Sequence, residues 1–449
     1  MLWASPIVTT PAATAGGVRR GRPARGRPAG RATFRGRARE MLESVPPMAV
    51  AAHTGSRRTL FSLTTGHLTA DLCAGALWAL LPFLVVERHY SYAAAGVFAL
   101  VISVTHAAVQ PLVGAQGDRW ESVPLLGAGL VVTGVGMGIV GFVYSFPLTL
   151  LAAALCSAGV AAFHPEAARW ARRAAGTRIA LDMSLYSVGG SAGYALGPLV
   201  VAAVLTPLGL HGTLVIAAVP FFGAAVVLTA VGRFRASEQH AASAARRMES
   251  MACEWRPFAL FVAMFSISSG IATGLMTFVP LYLVDARGET PAVANVMTSV
   301  LLAAAAGGTV LGGYFSHHFG RKSVLVVPQL VFVPAIALVP LVSDWALVPL
   351  VALAGVCSSA NMAVAVVSAQ EYLPSRMGLA TGLTMGLCGG AGGLIVAALG
   401  PLGDAAGPAA VLYVLAALPL AVALLAALLP RPAACPEGTL WGLRAGAGR

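Results

Sequence analysis

His67 and Asp71, two side chains able to exchange a proton, sit one helical turn apart inside the apolar run from Leu60 to Phe83. An i,i+4 pair shares one helix face. A charged group at bilayer depth costs about 2.5–3.5 kcal/mol on insertion scales, so one that is kept there marks a site. His106 and Gln110 form a second such pair in the next apolar run, which returns in the opposite direction and puts them at comparable depth. Together the four can line one polar patch. A carboxyl there can take up and release a proton as a cavity opens to either side, with His67 or His106 as the partner of Asp71. The bland alternative is a structural Asp71 that hydrogen-bonds its helix to a neighbour. Ile271, Ala305 and Thr309 stand at the matching positions later in the chain, and none is ionisable. Such an asymmetry is expected of a coupling or substrate site.

The elements that must hold these groups are helices in a membrane. Of 449 residues 57% are hydrophobic and only 10% charged, the mean hydropathy is +0.80, and a soluble domain would carry about 25% charged residues. Runs of about 20 apolar residues, enough to cross a bilayer, fall at 59–86, 92–116, 123–144, 147–168, 179–204 and 211–232, then at 257–284, 292–316, 323–342, 345–369, 377–400 and 407–430. The expected fold class is an all-α membrane protein of about twelve transmembrane helices. The expected organisation is a tail (1–56), a six-helix half (57–232), a linker (233–256), a second six-helix half (257–430) and a C-terminal tail (431–449).

Arginine placement sets the orientation. Arg119, then Arg169, Arg172, Arg173 and Arg178, the group from Arg233 to Arg256, and Arg321, Lys322 and Arg376 fall in alternate gaps. The other gaps hold Arg88 and Arg287 against Glu87, Asp285, Glu289, Asp344 and Asp404. By the positive-inside rule the first set is cytoplasmic, as are both termini.

The net charge of +12 does not imply nucleic acid as a partner, because about eleven arginines precede Thr59 in a Gly-, Pro- and Ala-rich stretch without hydrophobic periodicity. That stretch reads as a basic tail on anionic lipid, as a nucleic-acid tail, or as sequence upstream of the natural start. The last is favoured, since Met41 and Met48 directly precede the first membrane run. Cys73, Cys156, Cys357 and Cys388 lie in apolar runs, with Cys253 in a gap and Cys435 in the tail. No CxxC or metal spacing occurs, so neither a disulfide framework nor a metal site is expected.

The halves repeat one grammar. Gly114-Ala115-Gln116-Gly117-Asp118-Arg119 follows the second run, and Gly313 to Lys322 follows the eighth, at a shift of about 199 residues. A glycine permits close approach at such a turn, and a carboxylate there can cap a helix and pair with Arg. A plain helix connector is the alternative. Near the end of the fourth run, His164 and Glu166 flank Pro165, which frees a carbonyl and permits a kink. They form either a gate, with Glu166 paired to Arg169, or an ordinary interfacial salt bridge.

From Thr59 to Pro430 the chain resembles a major facilitator superfamily transporter. Gly114, Asp118 and Arg119 match the family's G-x-x-x-D-[RK]-x-G-[RK]-[RK] loop, while Trp120-Glu121-Ser122 departs from its end. The second copy keeps Gly320-Arg321-Lys322 and has His317 in place of Asp. The resemblance implies that Asp118 and Arg119 help lock the halves, with Arg321 as their counterpart. His67-Leu68-Thr69-Ala70-Asp71-Leu72, Gln110 to Gly114, Phe163-His164-Pro165-Glu166 and Gly193 to Leu199 resemble the fosmidomycin-resistance group of efflux transporters within that family. Gly193, Gly197 and Pro198 also match the G-x-x-x-G-P element of proton-coupled antiporters, although small residues serve helix packing in any case.

The reading is a secondary active transporter working by alternating access, with export of a drug or small molecule driven by protons. It is placed in a bacterial inner membrane, acts as a monomer and needs no cofactor. Two alternatives remain: a proton-coupled importer of a small metabolite, and a transporter-like membrane sensor. No Walker G-x-x-x-x-G-K-[ST] loop occurs. Neither a nucleophile–base pair nor an H-E-x-x-H set supports an enzyme, and His317-His318 is a poor metal pair on a helix. For a phosphonate anion an Arg at mid-membrane depth would be the usual partner, and none is present.

Overall fold

The computed structural model describes residues 56–117, 123–175, 179–238, 253–342, 344–373, 380 and 383–432. The N-terminal tail expectation, most of the linker, the C-terminal tail beyond 432, and Asp118 and Arg119 lie outside them. Residues 54–449 group as one compact unit.

The helices are α1 (Arg57–Ala79), α2 (Leu81–Arg88), α3 (Tyr92–Gly117), α4 (Val123–Val140), α5 (Phe146–Ala174), α6 (Ile179–Leu208) and α7 (Thr213–Glu238). They continue with α8 (Trp255–Asp285), α9 (Pro291–Phe319), α10 (Arg321–Ala337), α11 (Leu347–Ser359), α12 (Met362–Tyr372), α13 (Cys388–Ala406) and α14 (Pro408–Leu428), with a π turn over Leu383–Leu387 before α13. Ten stretches are long and apolar enough to cross a membrane. One of them, Leu181–Gly232, contains both α6 and α7. α1 with α2 makes one crossing and α11 with α12 another, giving twelve passes among the described residues.

Two crossings are broken where the apolar pattern predicts continuous helices. Pro82, which lacks an N–H to donate backwards, sits in the first turn of α2, and the helix is interrupted at Leu80. The tenth crossing breaks at Ala360–Asn361. α5 runs to Ala174 and α7 to Glu238, each six residues past its expected end. Long helices that carry Arg at their ends can do this because the side chain reaches back to the interface.

The passes define two faces. One carries Arg57, Arg58, Arg172, Arg173, Arg256, Arg321 and Lys322; the other carries Glu87, Asp285, Glu289 and Asp404. Toward the acidic face the first and seventh crossings are packed shut: Ala76–Leu81 and Thr277–Leu283 are buried without interruption. There the Asn295 amide donates to the Ala79 carbonyl at 3.0 Å, and Asp404 accepts from the backbone N–H groups of Tyr92 at 2.6 Å and Ala93 at 3.0 Å. Buried Cys73, Cys156, Cys357 and Cys388 are free thiols.

Candidate functional site

α1 and α6 approach closely because glycines face the partner's backbone. A Cβ on Gly193 would strike the Leu68 carbonyl, and one on Gly197 would lie 2.5 Å from Ala76 N and Leu72 O. Any larger residue would push the helices apart. Pro198 is buried next to this seam within α6.

This contact brings Tyr186 of α6 over His67. Their rings stack with centroids 4.3 Å apart, and His67 Nδ1 lies 2.9 Å from the Tyr186 carbonyl oxygen. A carbonyl only accepts, so Nδ1 carries the hydrogen and Nε2 of a neutral ring is a bare acceptor. Yet Nε2 meets Asp71 Oδ2 at 3.2 Å, and an ionised carboxylate is also acceptor-only. A hydrogen bond between them needs one further proton, either on His67 Nε2 or on the Asp71 carboxyl. On the other side His164 Nε2 meets Asp71 Oδ1 at 3.0 Å, a contact that a neutral Nε2–H satisfies. For both contacts to be hydrogen bonds, the cluster needs one proton more than a carboxylate with two neutral imidazoles.

Asp71 and His164 line a cavity of about 390 Å³, together with Trp78, His106, Ser157 and Tyr194. The Tyr194 hydroxyl donates to Met276 Sδ at 3.4 Å, joining α6 to α8. The cavity floor toward the acidic face is Leu77 and Trp78, both buried.

The expected patch is rearranged. His67 contacts Asp71 as its spacing implies, but the second histidine on the carboxylate is His164, not His106. His106 lines the cavity with its ring centroid 5.8 Å from that of His164. Gln110, one turn further along α3, is not among the residues that line the cavity. Apolar composition ends the fourth crossing near residue 168, which puts His164 near an interface. The helix runs on to Ala174, ten residues further and about 15 Å along the axis. The signal for this was the Arg169–Arg173 stretch itself, helical and able to snorkel. The role of Tyr186 had no sequence signal, because its carbonyl holds His67.

Glu166 is 1% exposed. It accepts from Arg169 Nη1 at 2.6 Å and from Trp170 Nε1 at 3.0 Å, while the Arg173 guanidinium lies 5.1 Å over the Trp170 ring. Arg321 pairs with Glu371, joining α10 to α12. Glu166→Gln keeps the volume but loses the charge opposite Arg169. Hydrogen bonds to charged groups are worth about 1.5–3 kcal/mol, so a lowered Tm in detergent is expected. An unchanged Tm would mean that the network carries no stability.

His67, Asp71 and His164 are also, among the described residues, the group whose ligand atoms could surround a metal ion, all lying within 4.8 Å of one another. A proton shared between His67 and Asp71 would account for the same short contacts.

A bundle of twelve membrane passes among the described residues, around a cavity lined by Asp71, His106 and His164 and closed at one face, is the architecture of a membrane transporter. The sequence matches the Major Facilitator Superfamily over residues 63–293 and 258–440, and the chain belongs to that family. It is 31% identical over 397 residues to the fosmidomycin resistance protein of Escherichia coli (strain K12), spanning 85% of this chain and 96% of the relative. It is also 31% identical over 371 residues to the uncharacterised MFS-type transporter YfnC of Bacillus subtilis (strain 168), spanning 81% and 90%. The fold is shared with the nucleoside transporter NupG, at a TM-score of 0.66 and 16% identity over 82% of this chain and 98% of that one. A bacterial homologue of the human lysosomal transporter Spinster, in an inward-facing and occupied conformation, gives 0.66 at 17% identity over 82% and 95%.

Proposed function

We propose that the chain exports a small molecule, of the drug-resistance kind named for its Escherichia coli relative, in exchange for protons. The observation that carries this reading is the carboxyl of Asp71 held between His67 and His164 at the edge of the cavity, with one extra proton required by its hydrogen bonds. A proton held beside the substrate space can be given up only when that space is open to water, which ties protonation to the alternation of access.

The Arg-rich face is the cytoplasmic one by the positive-inside rule, and the cavity, shut at the acidic face, takes its substrate from the cytoplasm in this conformation. The protein sits in the bacterial inner membrane with both termini cytoplasmic and acts as a monomer, because one chain supplies the whole cavity and cluster. Glu166 with Arg169, and Arg321 with Glu371, brace the cytoplasmic ends of the helices. The match of Asp118 and Arg119 to the family's loop motif supports assigning them to the same gate.

Inverted membrane vesicles with an acidified lumen test the reading. Adding fosmidomycin, or a member of a panel of cationic and neutral drugs, is expected to dequench a lumenal pH probe as protons leave with substrate entry. Vesicles that accumulate a panel compound with no proton movement would overturn proton exchange. Uptake into right-side-out cells would overturn export.

A further inference from the structure

A second cavity, of about 130 Å³, lies in the later half of the bundle among α8, α11 and the π turn before α13. That is far above the roughly 10–15 Å³ one water needs. Its polar lining includes Ser268, Ser269, Ser358, Ser359, Asn361 and Thr384, with no ionisable side chain among the described residues. Gly389 of α13 lines this cavity and also the Asp71 cavity, so the two meet there. A Cβ on Gly389 would find nothing within 4 Å, as expected at an open doorway.

The backbone around this space departs from regular helix twice. α11 stops at Ser359 and α12 restarts at Met362, with Asn361 between them, and the opposite wall is the π turn Leu383–Leu387. At membrane depth such irregular backbone is tolerated where it lines a cavity or is covered by protein. Interrupted helices and single π turns recur at substrate sites.

The hydrogen bonds give the cavity a polarity. Ser358 donates its hydroxyl to the Gly355 carbonyl at 2.8 Å and Thr384 to the Ala380 carbonyl at 2.7 Å. Asn361 donates one of its two amide N–H groups to Ser268 Oγ at 3.3 Å. The oxygens of Ser358, Thr384 and Asn361 thus keep acceptor capacity. A buried acceptor gains from a ligand donor and is costly to leave unmade. An uncharged lining penalises a charged ligand group, which would lose its hydration without a partner.

We propose that this cavity is a substrate subsite for an uncharged, hydrogen-bond-donating group such as a hydroxyl or amide N–H, entered past Gly389. The two halves then divide the work: the Asp71 cluster handles the proton and the Asn361 pocket selects the substrate. The proposal rests on the transport reading above and names the substrate class for it.

Equilibrium binding to the purified full chain tests it without any need for proton flux. The panel comprises uncharged hydroxyl- and amide-bearing compounds, chloramphenicol and uridine among them, with tetraphenylphosphonium as a charged probe that has no donor. At least one donor-bearing compound is expected to bind, and to lose tenfold or more in affinity in both Asn361→Leu and Gly389→Leu. Binding confined to tetraphenylphosphonium, no binding by any donor-bearing compound, or affinity indifferent to both leucine variants would overturn the subsite. Gly307→Leu, in α9 outside both cavities where an added Cβ meets nothing within 4 Å, controls for folding and should bind as the wild type does. Loss of proton movement in Asp71→Asn vesicles together with indifferent leucine variants would sink the subsite and leave the proton reading standing.

Discussion

Asp71→Asn is expected to reduce substrate-driven proton movement in inverted vesicles to the level of empty vesicles, while the protein still folds and still binds substrate. The amide has nearly the shape of the carboxyl and can donate to His67 Nε2, so the α1–α6 seam has no reason to open. It cannot exchange a proton. One altered hydrogen bond is worth about 0.5–1.5 kcal/mol, so substrate affinity should move by less than about tenfold. The split between retained binding and lost proton movement is the diagnostic. A merely structural Asp71 would lose stability and keep the coupling, and proton movement at the wild-type rate in this variant would assign it that role.

Gly190→Ala is expected to abolish transport almost as completely, from a position that carries no chemistry. A Cβ there would lie 2.5 Å from His67 Cε1 and Nε2, and 2.6 Å from Asp71 Oδ2. Side-chain tips can often swing aside, but these are held. His67 is fixed by the Tyr186 carbonyl at 2.9 Å and by the stacked ring, and Asp71 by His164 at 3.0 Å. The methyl must either break that cluster or push α6 away from α1. Overpacking of this kind costs about 1–3 kcal/mol, which a membrane protein of this size can survive, so expression should persist while proton movement is lost. Gly307→Ala is the control. Nothing lies within 4 Å of the added Cβ, and relief of backbone entropy should leave it neutral or more stable by about 0.5–1 kcal/mol. If Gly190→Ala transports like the wild type, the observed geometry of the His67–Asp71 pair is not required.

The sequence by itself determined the class. In lipid every backbone polar group must be satisfied within its own helix, so apolar runs of bilayer length had little choice of structure, and the crossings appear where composition places them. Asp71 and His67 were equally legible, since the spacing of an i,i+4 pair survives any tertiary arrangement. The major facilitator resemblance, carried by Gly114, Asp118 and Arg119 and by Gly320-Arg321-Lys322, and the narrower one carried by His67 to Leu72, rested on motifs that are contiguous in the chain.

What only the tertiary structure decided is which other helix meets Asp71. The sequence offered His67 or His106 as the partner of Asp71 and placed His164 near the cytoplasmic end of its helix; the structure puts His67 and His164 on the carboxylate. The choice depends on how far three helices slide and rotate against one another. That is set by glycine contacts such as those of Gly193 and Gly197, whose G-x-x-x-G spacing marks a packing face without naming the helix it meets. The Tyr186 carbonyl that fixes the His67 proton is a backbone atom, common to every residue type, and no side-chain pattern can announce it. The Asn361 pocket was hidden for a related reason. Ser268, Asn361 and Thr384 come from three separate crossings, and each by itself looks like an ordinary polar residue bonded to a neighbour. Only packing gathers them around one space.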